Sequence, residues 1–279
     1  MGYGEAMSSQ VPIVFIMLAL GLGCGKKEVE PVEISATPPA VQPLIESTPP
    51  IVQKELFFDQ DNLDHRKIET AINVTLRQKK QQGQASLTGM RIIPRRAWPK
   101  LKSGDVLQLT ELDMGGKDIA DISPLSELSQ LKSLFLTENR ITDLSPLAGH
   151  TQLLSLTLDG NRQLQDLSPL VNLKGLRLLY LDRNHVADLS PLAGLTELKY
   201  LYLRDNQVDN LEPLENLKHL VVLDLGGNKF TNLIPLMNLS ELKHLSVDDS
   251  PYLPQDEIEK LQSALPNCKI RFTLGTAKE

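Results

Sequence analysis

This 279-residue chain has few of the residues that would support a redox, metal-binding or nucleic-acid-binding function. Its two cysteines, Cys24 and Cys268, lie far apart and fit neither a disulfide framework nor the spacing of a metal site. Aromatic residues make up only 4% of the chain, so the core must consist mainly of leucine and isoleucine. The formal net charge of −6 disfavours a nucleic-acid partner, because phosphate binding needs a basic surface.

The sequence also lacks a recognisable catalytic or cofactor-binding pattern. No histidine forms an H-x-x-x-H pair or stands at ligand spacing from a cysteine, although the chain has five: His65, His150, His185, His219 and His244. No glycine-rich loop precedes a helix in the phosphate-binding pattern, and no D-x-D-x-D-G calcium loop occurs. We therefore predict no catalytic residue, no metal, no cofactor and no enzymatic activity.

An apolar run of 13 residues, Val11–Gly23, is too short for a membrane span, which needs about 20 residues, but suits the core of a signal peptide. With Gly21 and Gly23 just before Cys24, the segment resembles a bacterial lipoprotein signal. The resemblance implies that Cys24 carries the lipid and anchors the chain in the cell envelope, facing the periplasm or the exterior. A signal cleaved in another way and a buried or interfacial apolar stretch are the alternatives, since Lys26 and Lys27 follow the run.

The composition and patterning of the chain predict six segments. These are a signal peptide at 1–23, a proline-rich disordered tether at 24–54, an N-terminal cap region at 55–108, repeats at 109–253, a C-terminal cap at 254–273 and a tail at 274–279. In the N-terminal cap region, residues 62–79 are predicted to form a helix with Ile68, Ala71, Ile72 and Leu76 on one face.

One phrase recurs from Leu109 to Leu253 and carries most of the information in the chain. It reads L-x-x-L-x-L-x-x-N-x-[IV]-x-D-L-S-P-L-x-x-L, with steps of 22, 22, 23, 22, 22 and 22 residues between its first leucines, which are Leu109, Leu131, Leu153, Leu176, Leu198, Leu220 and Leu242. A fixed period of this length predicts a solenoid whose repeats stack as successive rungs. Such a fold presents a strand face instead of an enclosed cleft, which favours binding over catalysis.

Each rung is predicted to begin with a short strand. In the second repeat Leu134 and Leu136 point to one side and Phe135 to the other, because side chains alternate along a strand. Asn139 follows the strand, and its amide can bond to turn backbone that no sheet ladder would satisfy. The extra residue of the third repeat, within Asn161–Leu164, is predicted to bulge the turn after the strand.

The second half of each rung is predicted to be a tight turn. Three-residue spacings, as from Leu144 to Leu147, suit a 3₁₀ turn better than a long helix. Ser145 can cap this turn, and Pro146 fits its first position. His150 takes a position that leucine holds in other repeats, so we expect it to be partly buried.

The phrase N-R-I-T-D-L-S-P-L at Asn139–Leu147 resembles bacterial leucine-rich repeat proteins of the 22-residue, internalin-like type, and the likeness covers about residues 55–273. It implies an α/β leucine-rich repeat solenoid of about seven rungs, with a parallel strand face and 3₁₀ turns on the convex side. It also implies a helical N-terminal cap and a helix–strand C-terminal cap in which Cys268 is a buried thiol.

The side chains that alternate with the core leucines predict an exposed patch on the concave strand face. Tyr180 should lie beside Tyr202, and Leu178 beside Tyr200, because neighbouring rungs are about 4.8 Å apart. Aromatic residues and arginine favour binding hot spots. The predicted partner-binding residues are Phe135, Asp159, Leu178, Tyr180, Asp182, Tyr200, Tyr202, Arg204 and Asp224. Alternatively, the aromatic pair only stabilises the sheet, and Asp182 and Arg204 form a surface ion pair.

These features predict a non-enzymatic, envelope-anchored module that binds a protein on its strand face, with a glycan as the second choice of partner. The alternative is a cytosolic regulatory or scaffold protein, similar to leucine-rich repeat subunits that steer phosphatases. A purely structural spacer is a further alternative. A hydrolase or ligase would need a catalytic domain, for which we find no segment.

Overall fold

The structure, a computed structural model, describes residues 62–81 and 109–273, with the backbone alone for 76–81. These residues belong to one unit, Ile51–Glu279. The predicted signal segment with Cys24, the tether and the tail lie outside the described residues, as does the side chain of Leu76.

Between residues 109 and 273, eight short parallel strands form one sheet in which each strand pairs with its neighbours in sequence. Adjacent strands of the repeats pair residues 22 positions apart, as Leu112 with Leu134. The step becomes 23 between Ser155 and Leu178, where the third repeat carries its extra residue, and 25 between His244 and Lys269, where the last strand belongs to the cap. The strands are β1 (Glu111–Asp113), β2 (Ser133–Phe135), β3 (Ser155–Thr157), β4 (Leu178–Tyr180), β5 (Tyr200–Tyr202), β6 (Val222–Asp224), β7 (His244–Ser246) and β8 (Lys269–Arg271). The predicted rungs are confirmed, and the C-terminal cap adds β8 as an eighth strand.

In the described part of the chain, six 3₁₀ turns alternate with the strands, as predicted: Ser123–Glu127, Ser145–Leu147, Ser168–Asn172, Ser190–Leu192, Glu212–Leu214 and Ile234–Leu236. The predicted cap is wrong, because Ser145 is the first residue of its turn and the turn has no side-chain N-cap. The Asp143 carboxylate instead accepts hydrogen bonds from the Ser145 amide at 2.8 Å and from its hydroxyl at 2.9 Å. The aspartate of each D-L-S-P motif thus fixes the entry to the turn, and Pro146 takes the second position of its turn.

Helices cover both ends of the repeats. Helix α1 (Leu63–Gln81) buries Ile68, Ala71 and Ile72, and Asn62 accepts the Asp64 amide at 2.9 Å just before the helix begins. Helix α2 (Gln255–Ala264) buries Ile258 and Leu261. The predicted N- and C-terminal caps are therefore confirmed, and each protects apolar side chains that a terminal rung would otherwise expose.

Stacked leucines form one continuous core along the repeats. One column of this core contains His150 where the other repeats have leucine, namely Leu128, Leu173, Leu195, Leu217 and Leu239. His150 is 0% exposed, so the expectation of partial burial was too weak. Neither ring nitrogen makes a hydrogen bond of normal geometry to another described residue. Burial lowers the pKa of His150, against the opposing effect of nearby backbone carbonyls.

The predicted asparagine column satisfies the backbone between strands and turns. Asn206 accepts the Val186 amide at 3.0 Å and donates to the carbonyls of Leu181 and Leu203 at 2.8 and 3.1 Å. The same pattern recurs in other rungs, at Asn139, Asn161 and Asn228. Because these side chains are buried, each asparagine amide makes the hydrogen bonds that the neighbouring backbone groups cannot make to water.

The extra residue of the third repeat interrupts this column. As predicted, Arg162 and Gln163 form a bulged turn, which is closed by the Leu164 amide donating to the Asn161 carbonyl at 2.7 Å. In four other rungs the equivalent amide, that of Ile119, Ile141, Val186 or Val208, donates to the next asparagine. By contrast, Asn184 Oδ1 is buried without a hydrogen-bond partner among the described residues. The insertion therefore costs one bond of the column, although Asn184 still donates to the carbonyls on either side.

Candidate functional site

The tyrosines of the central rungs lie together on the strand face. The register pairs Tyr180 with Tyr202 and Leu178 with Tyr200, as predicted. The rings of Tyr180 and Tyr202 stack with centroids 4.2 Å apart and planes 2° from parallel. Both rings are half-buried, and burial raises the pKa of each hydroxyl. The pair is a rigid apolar surface with its outer part open to solvent.

Two predicted members of the exposed patch differ from Tyr180 and Tyr202 in exposure or position. Leu178 is 4% exposed, so its prediction as an exposed patch residue is wrong. It lies between Ser155 and Tyr200 in the sheet, where its neighbours cover it. Phe135 is half-buried in the column of Tyr180, but the buried Thr157 stands between the two.

Carboxylates follow the aromatic column toward the ends of the strands. Asp159 accepts the Asp182 amide at 3.0 Å, and Asp182 accepts the Arg204 amide at 2.7 Å, so the two carboxylates brace successive rungs. Burial raises the pKa of Asp159 to about 6. Burial and the charge of Asp159 raise the pKa of Asp182 to about 7. Asp224 pairs in register with Tyr202 and accepts the Gly226 amide at 3.0 Å.

The Arg204 guanidinium forms its ion pairs outside this acidic cluster, although its charge still acts on Asp224. The alternative prediction of an Asp182–Arg204 ion pair is wrong, because the guanidinium pairs with Asp249 and lies 3.9 Å from Asp205. It reaches Asp249 by crossing Gly226. A Cβ at Gly226 would lie 2.9 Å from the Asp248 carbonyl and closer still to the guanidinium. The absence of a side chain at Gly226, in the rung of β6, thus allows Arg204 to contact Asp249 two rungs away.

The raised pKa of Asp182 predicts that stability falls as pH rises. The folded pKa of about 7 exceeds the ordinary value of 3.8, so the folded state holds a proton that the unfolded chain releases between pH 4 and 7. The full shift corresponds to about 4 kcal/mol, and we expect about half because solvent reaches the carboxylate. Asp182→Asn should therefore raise the free energy of unfolding by about 2 kcal/mol at pH 8 and leave it nearly unchanged at pH 4.

Urea unfolding at pH 4, 6 and 8 measures this effect. Asp166→Asn is the matched control, because Asp166 is exposed and accepts the Ser168 amide in a turn position that Asn210 fills in another repeat. An equal gain for both variants at pH 8 would assign the effect to net charge instead of to the environment of Asp182.

A polar cluster that the sequence did not reveal joins α1 to the first rung. His65 Nε2 lies 2.8 Å from the Asp121 carboxylate and 3.1 Å from the Ser123 hydroxyl. Asp64 accepts the amides of Ala120 and Asp121 at 2.7 and 3.0 Å. A serine–histidine–aspartate relay needs the acid and the hydroxyl on opposite ring nitrogens, whereas here both contact Nε2. The cluster is therefore an attachment between helix and rung.

The remaining candidate residues fit no reactive site. Cys268 is buried, and burial raises the pKa of its thiol, so it is a poor nucleophile. Within residues 62–81 and 109–273, no three histidine, cysteine or acidic side chains are grouped to hold a metal ion. Neither helix in the described part of the chain is long and apolar enough to cross a membrane.

Comparison with known proteins agrees with this architecture. The family profile "Leucine Rich repeats (2 copies)" matches residues 107–149 and 196–244. Internalin C2 from Listeria monocytogenes is similar in structure, with a TM-score of 0.54 and 28% identity over 74% of this chain and 92% of that one. The chain folds as a leucine-rich repeat solenoid and is similar to internalin C2.

Two further solved structures resemble this leucine-rich repeat protein. One is a leucine-rich repeat protein from Leptospira interrogans, with a TM-score of 0.49 and 26% identity over 53% of this chain and 39% of that one. The other is the internalin inlF from Listeria monocytogenes, with a TM-score of 0.40 and 25% identity over 75% of this chain and 76% of that one. No curated protein matches the chain in sequence.

Proposed function

We propose that this leucine-rich repeat protein is a non-enzymatic binding module, anchored in the bacterial envelope through Cys24, that takes a protein partner on its strand face. The observation that carries the proposal is the stacked Tyr180–Tyr202 pair on the central rungs. Solenoids use their extended strand face for binding, and aromatic side chains dominate the free energy of such interfaces.

The geometry of the pair suits a hot spot. The two rings hold each other in place, so a partner that covers them pays little in lost side-chain entropy. Tyr200 lies beside Tyr202 on the same strand, and Asp224 follows in the next one. This arrangement places a half-buried apolar centre within a polar surround, which is the usual anatomy of an interface.

Tyr180→Ala/Tyr202→Ala tests the proposed face. We expect the variant to lose at least 90% of the partner that the wild type captures from cells by crosslinking, since truncation of a hot spot typically costs 2 kcal/mol or more, roughly a factor of 30. Tyr252→Ala is the control, because Tyr252 is 60% exposed and lies off the strand face in the turn before α2. Unchanged capture by a folded double variant would remove the tyrosine pair from the interface.

Metabolic labelling with a palmitate analogue tests the anchor. We expect label on the wild type and on Cys268→Ser, whose thiol is buried, but not on Cys24→Ser. A soluble and unlabelled wild-type protein would instead favour the cytosolic regulatory protein.

A further inference from the structure

The acidic residues around the tyrosine pair have no cation in direct contact, although the charge of Arg183 acts on Asp159 and that of Arg204 acts on Asp224 at longer range. Among the described residues, Asp159, Asp182 and Asp224 each accept a backbone amide but form no ion pair. Asp182 faces the negative charges of Asp159, Asp224 and Asp205, and these charges help to raise its pKa. Like charges held this close destabilise the folded chain unless a positive charge lies between them.

The nearby arginines are already paired elsewhere. Arg204 pairs with Asp249, Arg271 with Asp248, and Arg183 lies 3.5 Å from Glu138. The Arg204 backbone lies next to Asp182 along the sheet. Because Gly226 has no side chain, the Arg204 guanidinium extends across Gly226 and away from Asp182. The strand face therefore leaves Asp159, Asp182 and Asp224 without an ion-pair partner among the described residues.

We propose that the protein partner presents an arginine or lysine side chain to this face, where Asp159, Asp182 and Asp224 receive its charge and the tyrosine pair packs against its aliphatic part. This inference rests on the proposed function and adds the chemistry of the partner. Charge complementarity selects the occupant: three carboxylates that form no ion pair within the described residues, beside aromatic rings, match a basic side chain better than an acidic or neutral one.

The carboxylates are available for such a contact. Asp182 Oδ1 takes the Arg204 amide, whereas its Oδ2 makes no hydrogen bond within the described residues, and Asp224 Oδ2 is in the same position. A guanidinium could donate to these oxygens without displacing the bonds that hold the rungs together. Retaining carboxylates that cost stability is also typical of residues kept for binding.

Titration of the full chain with acetyl-tetraarginine amide at constant ionic strength tests the proposal. Acetyl-tetracitrulline amide is the neutral counterpart of nearly equal shape. We expect calorimetric binding of the arginine peptide only, weakened at least about tenfold by Asp159→Asn/Asp182→Asn, as for a buried charge-assisted contact. We expect the double variant to stay folded, because the substitutions remove charge repulsion and the asparagine oxygens can accept the same backbone amides, and urea unfolding of the variant checks this.

The titrations are run at pH 8, above the pKa values of Asp159 and Asp182. Asp143→Asn/Asp166→Asn is then the matched control, because it removes nearly the same charge at exposed positions in the turns. Equal weakening by the two double variants would show attraction to net charge alone and overturn the proposal. Binding of the citrulline peptide, or tight binding of Ca²⁺ in place of the peptide, would overturn it as well.

The tyrosine and aspartate variants distinguish failure of the proposed function from failure of this inference. If Tyr180→Ala/Tyr202→Ala abolishes capture of the partner while Asp159→Asn/Asp182→Asn captures it normally, the strand face binds a partner without using its charge. If the arginine peptide binds as expected but the tyrosine variant still captures the partner, the acidic cluster takes cations while the proposed interface is wrong.

Discussion

Asn206→Ala is expected to lower the free energy of unfolding by about 4 kcal/mol, the largest loss among the substitutions considered. The side chain is buried, and it supplies the acceptor for the Val186 amide. Without it that N–H is buried and unsatisfied, which costs about 1–3 kcal/mol. The donated bonds to Leu181 and Leu203 and the packing of the amide add the rest.

Asn184→Ala is the control that isolates the orphaned amide. Asn184 donates to the carbonyls of Leu158 and Leu181, which keep bonds from Asn161 and Asn206. Because Asn184 Oδ1 accepts no bond, its loss leaves no N–H unsatisfied. We expect a cost of about 1–2 kcal/mol in urea unfolding. Equal costs for the two variants would mean that the amide acceptor contributes nothing to stability.

The periodic part of the structure could be predicted because one rule applies to every rung. The 22-residue step fixes the register, and the register places Tyr180 beside Tyr202. The bulge near Arg162 and Gln163 followed from the single 23-residue step. The unpaired Oδ1 of Asn184 could not be predicted in the same way. It arises because the Leu164 amide donates within its own turn instead of to Asn184.

The local contacts of long polar side chains could not be predicted from the repeat. Adjacency in the register suggested that Arg204 pairs with Asp182, but the arginine crosses Gly226 to Asp249, two rungs away. Its direction depends on side-chain torsions and on a missing Cβ, which the periodicity does not report. Leu178 was misjudged for a related reason: alternation gives the face on which a side chain lies, while burial depends on the size of its neighbours.

The His65 cluster has a different origin. Its members, His65 and Asp121, are 56 residues apart, and the contact joins α1 to a repeat for which no periodic rule applies. An acidic residue in the first turn of the helix, Asp64, was the only local signal, and it is as common in helices that dock nowhere.

His150→Leu is expected to stabilise the chain by about 2–3 kcal/mol at pH 7, because it replaces a buried imidazole that lacks good hydrogen bonds with the residue of the surrounding column. The neighbouring rungs contribute Leu128 and Leu173 at this position, so the pocket already suits a leucine. Melting and urea unfolding at pH 7 measure the gain. A loss of stability would show that the pocket has adapted to the imidazole.

The gain should grow as the pH falls. Burial lowers the folded pKa of His150, so below the ordinary value of 6.5 the unfolded chain takes up a proton that the folded chain excludes. Wild-type stability then falls by up to about 1.4 kcal/mol for each pH unit below 6.5, and His150→Leu removes this contribution. His219→Leu is the control, because His219 is exposed. A difference between His150→Leu and the wild type that stays constant from pH 7 to pH 5 would mean that the buried imidazole is protonated in the folded chain.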